Sequence, residues 1–588
     1  MDWYIKYKRK NLEKLQDIDG LSPLERVLLA NRDVVEEKEL RSFLNPSLDD
    51  LHDPFLFEDM EIAVEYILEC FYGQIPIRIV GDYDQDGVAS TTILVKALRR
   101  IARQMNLDPY AMISYTIPDR IEDGYGINEN IINKALQEQI GLLITCDNGI
   151  AAFEALDYAF EKQIPVIITD HHQISIQDDK EVFPKAEAIL NPHKRNTTYP
   201  FADLAGAGVS YKLVEGLCIK LFQDKNKYVD LLSFAALGTI CDVVPLKGEN
   251  RVIASLGLKE INKRDNPGLN ALLVLNSWDR EVTSYTVGFV IGPCINASGR
   301  LFTARLGVEL FLETEEETLY QYARELVSLN DERKEMTRLG IERAQAMIME
   351  NKLPAIILIY LQDCHESICG LIAGRIKESF HRPTLIFTDA NEEGVVKGSG
   401  RSIEAYNMYE NMKIHDDLYL HFGGHEMACG LSMKKEHLFM LNERLNQNHQ
   451  LEEKDFKNYL EMDMPLNFDR LDYFTLQTID RFAPFGKDNP RPLFATKNCN
   501  VLWIRLVGQK KNVLQMGLEK EGRNFTGVFF KAEEKLLELR KVLGPSLDLA
   551  LKGQERGLVF DICYLPQENV FQGRKSIQLI LKDLRLSH

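Results

Sequence analysis

Three short apolar runs in the first half of the chain each stop at a cluster of carboxylates or imidazoles. No other feature constrains the fold as much. Ile75 to Val80 runs into Gly81-Asp82-Tyr83-Asp84-Gln85-Asp86-Gly87, Leu142 to Thr145 into Cys146-Asp147-Asn148-Gly149, and Pro165 to Thr169 into Asp170-His171-His172. Nearly continuous apolar runs, without polar alternation, predict strands covered on both faces, hence a mostly parallel sheet flanked by helices. Helices are predicted from about Val88 to Arg103 and around Tyr211 to Leu237. In open parallel sheets, ligands bind beyond the carboxyl ends of the strands. Asp84, Asp86, Asp147, Asp170 and His171 are therefore expected in one crevice. Asp242 adds a further acid inside the apolar segment Ala236 to Leu246.

The rest of the chain divides by rhythm. Residues 250–350 read as helices, with Glu316 to Met349 as a long connector. A second α/β alternation starts near Ala355, with strands at Ala355 to Tyr360 and Thr384 to Thr388 and a helix at Ile368 to Phe380 between them. From about Asp455 short strands predominate (Asn500 to Leu506, Val513 to Leu518, Leu558 to Tyr564), which predicts a small barrel or sandwich. At about 150 residues per domain, 588 residues allow three to five domains. We divide the chain into a helical N-terminal segment (1–60), an α/β domain (61–250), a helical connector (251–350), a smaller α/β domain (351–455) and an all-β domain (456–588).

Carboxylates converging in one crevice repel unless a cation neutralises them. Oxygen ligands with one or two imidazoles suit Mn2+ or Mg2+ better than a thiolate zinc site. Two such ions about 3.5–4 Å apart would clamp a phosphoryl group and activate a nucleophile. The composition fits this chemistry. The net charge of −18 argues against a surface coated in nucleic acid, yet allows a local basic channel. Ten scattered cysteines without a CxxC pair exclude a zinc ribbon and a disulfide framework, and imply reduced thiols. With neither an apolar leader nor a run long enough to span a bilayer, we expect a cytoplasmic protein without a membrane partner. Taken singly, an Asp after a strand is more often a helix N-cap or turn former than a ligand. The loop DYDQDG also resembles a calcium loop, but lacks the glutamate an EF-hand requires.

GDYDQDG, TCDNG, TDHH and GTICDVVPL, in that order, resemble the four motifs of the DHH phosphoesterase family. The resemblance implies two Mn2+ or Mg2+ ions held by Asp84, Asp86, Asp147, His171 and Asp242, with Asp147 and Asp242 bridging. Asp82 is a further candidate ligand, His172 the substrate-facing histidine and Asp170 the residue that orients the imidazoles. GSGRS (Gly398 to Ser402) and FGGHEMACG (Phe422 to Gly430) resemble the family's DHHA1 substrate domain. GPCINASGRL (Gly292 to Leu301), CHESICGLIAGR (Cys364 to Arg375) and FAPFGKDNPRPLF (Phe482 to Phe494) resemble its RecJ branch, the single-stranded-DNA-specific exonucleases, whose β-rich tail is an OB-fold. From these motifs follow candidate substrate-binding residues: Arg300, His365, Ser399, Arg401, Gly423, Gly424 and His425. In the tail, Trp503, Arg505, Lys510, Lys511, Phe529, Phe530 and Lys531 suit a stacking, basic groove for a single strand. The chain departs from the branch at Cys364, where Trp is usual, at Ser367, where Gly is usual, and at Lys487-Asp488-Asn489-Pro490, where the turn usually reads GNP.

The implied activity is 5′-to-3′ hydrolysis of single-stranded DNA to 5′-mononucleotides in repair and recombination. A single-stranded-DNA-binding protein and a DNA helicase are implied as partners. Two other readings remain open at this point. One is a DHH phosphodiesterase for short RNA or cyclic dinucleotides, although its members are typically shorter and lack the tail. The other is a nuclease-dead DNA-binding replication scaffold, which would have lost metal ligands.

Overall fold

The computed structural model describes residues 2–120, 124–349, 353–530, 532–554 and 557–587. The chain forms two compact units: His52–Asp242 with Gly257–Asn458, and Met1–Leu51 with Val243–Leu256 and Tyr459–His588.

The larger unit holds two sheets. In the first, β1 (Ile77–Val80), β2 (Ile113–Thr116), β3 (Leu142–Cys146), β4 (Val166–Thr169) and β5 (Ala188–Leu190) lie in the order β2-β1-β3-β4-β5, every pairing parallel. The runs β1, β3 and β4 are buried along their whole length, which is why their sequences do not alternate. Helix α1 (Gln85–Gln104) follows β1 directly, and α2 (Gly206–Phe222) and α3 (Leu232–Cys241) pack on α1. Helix α4 (Gly292–Leu301) and the 34-residue α5 (Glu316–Met349) continue the unit. The second sheet has the order β9-β10-β8-β7-β6, built from β6 (Ile357–Tyr360), β7 (Thr384–Asp389), β8 (Val395–Arg401), β9 (Tyr419–His425) and β10 (Ala428–Lys434). Only β6 and β7 pair in parallel, across the helix α6 (Cys369–Phe380).

The smaller unit contains a barrel. Strands β11 (Phe494–Val507), β12 (Val513–Lys520), β13 (Arg523–Phe530), β14 (Val559–Phe571) and β15 (Arg574–Leu586) run in the order β11-β12-β13-β15-β14, and β14 returns to pair with β11. The β13–β15 pairing is parallel. A closed five-stranded ring of this kind is an OB-type barrel. Its core is a single apolar cluster that includes Phe494, Met516, Phe560, Tyr564 and Leu581. Two features differ from the expectation. The all-β tail also carries helices Ala532–Leu543 and Pro545–Leu551 between β13 and β14. The N-terminal segment, expected to be helical, opens with a strand, Asp2–Ile5, paired in parallel with Tyr459–Met462. Aromatic and β-branched residues favour that strand, but its partner lies far along the chain and leaves no local signal.

Candidate metal centre

Five of the predicted ligands come from the carboxyl ends of β1, β3 and β4, and Asp242 caps the C-terminus of α3. Asp84 is the N-cap of α1, its Oδ1 accepting the backbone N–H groups of Asp86 at 2.9 Å and Gly87 at 3.1 Å. The capping and ligand roles are therefore compatible. Asp86 is buried, and its two oxygens accept the N–H groups of Gly206 at 2.7 Å and Ala207 at 3.0 Å at the start of α2. The positive end of that helix stabilises an anion there. Asp147 is held in the left-handed region, at φ 62°, directly after β3. Asp is one of the few residues that adopt this conformation without a heavy cost.

These side chains converge. Asp82, Asp84 and Asp147 place one carboxylate oxygen each within 4.8 Å of one another, and Asp86, His171 and Asp242 do the same with their ligand atoms. The two triads share no residue and together use six candidate ligands. Asp147 also groups with His171 and His172. Its Oδ1 lies 3.1 Å from His171 Nε2 without the alignment of a hydrogen bond, so the triads meet there. Of the two residues expected to bridge, Asp147 thus lies where the triads meet, whereas Asp242 belongs to one triad.

The electrostatics fit a cation. Burial, followed by the charges of Asp242 and Asp84, pushes the Asp86 carboxyl well above its ordinary range. Burial, followed by Asp86 and Asp84, does the same to Asp147. Asp82 rises to about 8 through burial and then Asp84. Asp82 Oδ1 and Asp147 Oδ1 are buried with no hydrogen-bond partner. Orphaned carboxylate oxygens are costly unless an ion satisfies them. Burial, and then His172, lowers His171 to about 4, so this imidazole is neutral at physiological pH, as a ligand must be. The residues present therefore fit a pair of hard divalent cations.

His172 is held differently. Its Nδ1 lies 2.7 Å from Asp170 Oδ1, which also accepts the backbone N–H groups of His171 and His172, while Asp170 Oδ2 accepts the N–H of Ile150 at 2.9 Å. Burial presses the His172 imidazole down, but the Asp170 bond and charge outweigh it and leave the group raised to about 9.

Two glycines make the convergence possible, Gly238 at the start of the GTICDVVPL motif and Gly206 outside the quoted motifs. A Cβ on Gly238 would lie 2.1 Å from Asp86 Oδ1, and one on Gly206 would lie 2.5 Å from Asp147 Oδ1. Two further contacts tie α4 to the β1–α1 loop: Asn296 Oδ1 accepts the Gln85 N–H at 2.8 Å, and Gly299 leaves room for the Tyr83 carbonyl. Tyr125 was missed as well. Its hydroxyl donates to the Asp147 carbonyl at 3.0 Å and lies 3.3 Å from His172 Nε2.

The candidate substrate residues form a second group. Arg300 Nη1 donates to the Ser367 carbonyl at 2.7 Å. Burial, then crowding by Arg120, Arg333 and Arg401, lowers the Arg300 guanidinium to about 10. Arg401 Nη1 donates to Ser399 Oγ at 3.1 Å and to the Gly400 carbonyl at 2.7 Å, and among the described residues no carboxylate pairs with it. His365 bonds Ser367 Oγ at 2.7 Å through Nδ1. Strand register aligns the rest: Arg401, Ala428 and His425 form one row across β8, β10 and β9, and Ser399, Gly430 and Gly423 form another. Gly423 and Gly430 have open space where a Cβ would be, so bare backbone lies beside Ser399. Gly424 instead fits against the Ala428 carbonyl and Cys429. Arg120, missed in the sequence, stacks on the Tyr83 ring, and its charge reaches both Asp82 and Arg300.

On the barrel, Trp503 and Phe530 are exposed, and Arg505 lies 4.8 Å over the Trp503 ring. Phe529 packs against the core instead, and Lys531 lies outside the described residues.

Residues 76–239 match the family model of the DHH family N-terminal domain, 354–450 that of the DHHA1 domain and 462–583 that of the RecJ OB domain. Proteins named single-stranded-DNA-specific exonuclease RecJ align along the chain. That of Haemophilus influenzae is 34% identical over 93% of this chain and 92% of its own. That of Escherichia coli is 31% identical over 99% and 100%, and that of Bacillus subtilis 32% over 100% and 71%. The crystal structure of RecJ from Thermus thermophilus in complex with Mn2+ shares the fold with a TM-score of 0.81, at 23% identity over 100% of this chain and 80% of that one. An exonuclease RecJ bound to manganese matches with a TM-score of 0.57, at 26% identity over 68% of this chain and 96% of its own. With all three domains in order and relatives above 30% identity along the whole chain, this protein belongs to the RecJ family of DHH phosphoesterases.

Proposed function

We propose that the protein is a Mn2+- or Mg2+-dependent exonuclease that degrades single-stranded DNA from its 5′ end and releases 5′-mononucleotides. The pair of complementary ligand triads carries this reading. Asp82, Asp84 and Asp147 would hold one ion, and Asp86, His171 and Asp242 the other. Two ions in that setting supply positive charge that polarises the scissile phosphate and activates water. Asp170 fixes the ring of His172 and favours its protonated form, so that His172 can donate a hydrogen bond to a phosphate oxygen. Asp86 and Asp147 are kept at close range by the glycines of α2 and α3.

Polarity follows from the second group. Arg300 and Arg401 beside the Ser399 hydroxyl present an excess of donors with no carboxylate to neutralise Arg401. A terminal phosphate, with one more charged oxygen than an internal diester, satisfies such a pocket better. The bare backbone at Gly423 and Gly430, with His425 in the neighbouring row, offers a shelf for the adjoining nucleotide. The barrel's exposed Trp503 and Phe530 would stack bases of a single strand. Every expected ligand position is filled and converges, which speaks against a nuclease-dead scaffold. A cytoplasmic role in repair and recombination, with a helicase that exposes single strands and a protein that coats them, belongs to the same reading. Among the described residues no helix is long and apolar enough to cross a membrane.

Incubation with 5′- and 3′-labelled single strands in Mn2+, against an EDTA control, tests this reading. Immediate release of 5′-labelled mononucleotide, abolished by EDTA, is expected. Release first from the 3′ end, or activity that survives EDTA, contradicts it.

A further inference from the structure

Among the described residues, Cys364 differs from the other nine cysteines. Eight of those are held above the ordinary thiol value, burial being the first cause. Cys364 is partly exposed and follows β6, and Cys369 is the first residue of α6. The turn Glu366–Ile368 between them folds the chain back, so that both sulfur atoms lie 3.8 Å from one atom, the His365 carbonyl oxygen. Thr388 Oγ1 fixes the Cys364 carbonyl at 2.6 Å, and Arg343 Nη2, bonded to the Gln362 carbonyl at 2.9 Å, brings a cation beside the thiol. The Cys369 contact first, and the Arg343 charge against burial, hold Cys364 below its ordinary value, while the same contact pushes Cys369 up. A partly exposed thiol beside a cation and a second thiol is the arrangement of a redox-responsive cysteine.

We propose that Cys364 and Cys369 are a peroxide-responsive dithiol whose reversible disulfide weakens capture of the DNA end. In the first step the Cys364 thiolate attacks the O–O bond of a hydroperoxide. An S–O bond forms, the O–O bond breaks, and the leaving oxygen takes a proton to depart as water or an alcohol. Cys369 then attacks the Cys364 sulfur, the S–O bond breaks, and the departing hydroxide takes the Cys369 proton. Two thiols and one hydroperoxide thus become one disulfide, one alcohol or water, and one further water. A small dithiol reverses the reaction.

The position of the pair gives the disulfide its consequence. The residues it brackets include Ser367, whose carbonyl accepts from Arg300, and His365, which bonds the Ser367 hydroxyl. Immediately after Cys369, a Cβ on Gly370 would lie 2.7 Å from Arg401 Nη2 and 3.0 Å from Ser399 Oγ. A cross-link across this turn would act on the carbonyl that positions Arg300 and on the backbone that abuts Arg401. This consequence rests on the reading of Arg300, Ser399 and Arg401 as the pocket for a 5′-phosphate. The cross-link itself does not.

The test compares the full-length protein, reduced and after hydrogen peroxide, with free thiols blocked before digestion. One tryptic peptide spans both cysteines. It should lose two hydrogens and escape blocking, and dithiothreitol should restore it. In parallel, KM for a 5′-phosphorylated strand should rise roughly tenfold with kcat little changed, the size of one lost charge-assisted hydrogen bond. Cys364→Ser should keep the reduced kinetics under peroxide. A peptide that remains dithiol under peroxide, or a disulfide that leaves KM unchanged, overturns the proposal. A reduced enzyme with no preference for 5′-phosphate counts against the pocket reading instead, and the peptide mass still decides the cross-link.

Discussion

At the scale of single residues, the centre combines a binding asset with a folding liability. Asp86 and Asp147 are buried among like charges, and without a cation each favours its protonated form. Between the ordinary carboxylate range and these raised values, the folded metal-free chain holds more protons than the unfolded one. Its stability must therefore fall as pH rises through that window. Asp147→Asn removes one such carboxylate. In EDTA the variant should melt above wild type at pH 8, by about 2–4 °C for each kcal/mol relieved, with the gap closing toward pH 4. Turnover should meanwhile fall at least 100-fold, beyond the roughly 10–100-fold typical of losing an outer partner such as Asp170. Thermal melts and single-turnover assays check both; a variant that is active, or less stable without metal, would contradict the ligand assignment. Arg401→Ala should lower the rate ratio between 5′-phosphorylated and 5′-hydroxyl strands by roughly tenfold while leaving metal binding intact. An unchanged ratio would remove Arg401 from the pocket.

At the scale of elements, the strands and their acidic ends were legible because β1, β3 and β4 are buried on both faces and so carry unbroken apolar runs. The long helix α5 was legible from its richness in Glu, Arg and Leu. What the sequence did not disclose was the role of small residues on other elements. Gly206 looks like an ordinary helical glycine and Gly238 only opens the fourth motif, and it is the packing of α2 and α3 that shows carboxylate oxygens where their side chains would be. Arg120 and Tyr125 sit in a stretch without periodicity, and nothing local marks them as neighbours of Asp82 and His172. Gly238→Ala should therefore cost about 1–3 kcal/mol by overpacking and also weaken metal binding. Gly374→Ala, in α6 with open space around its missing Cβ, should be neutral or stabilise by up to about 1 kcal/mol. Denaturant titrations and Mn2+ binding on the two variants separate the cases; equal effects would show that the close approach to Asp86 does not matter.

At the scale of the whole molecule, a chain of net charge −18 is proposed to hold a polyanion. Binding must then depend on local patches such as the Arg120, Arg300 and Arg401 group, and it should still release counterions. Affinity for a single strand should fall steeply between about 50 and 200 mM salt, and insensitivity would point to a small-molecule substrate. The proposed chemistry rests on two separate ligand triads that meet at Asp147 and His171 and would hold two ions. Anomalous diffraction from crystals grown with Mn2+ tests this most directly. Two manganese peaks about 3.5–4 Å apart are expected, one within Asp82, Asp84 and Asp147 and the other within Asp86, His171 and Asp242. A single peak, or a second one outside these triads, would contradict it.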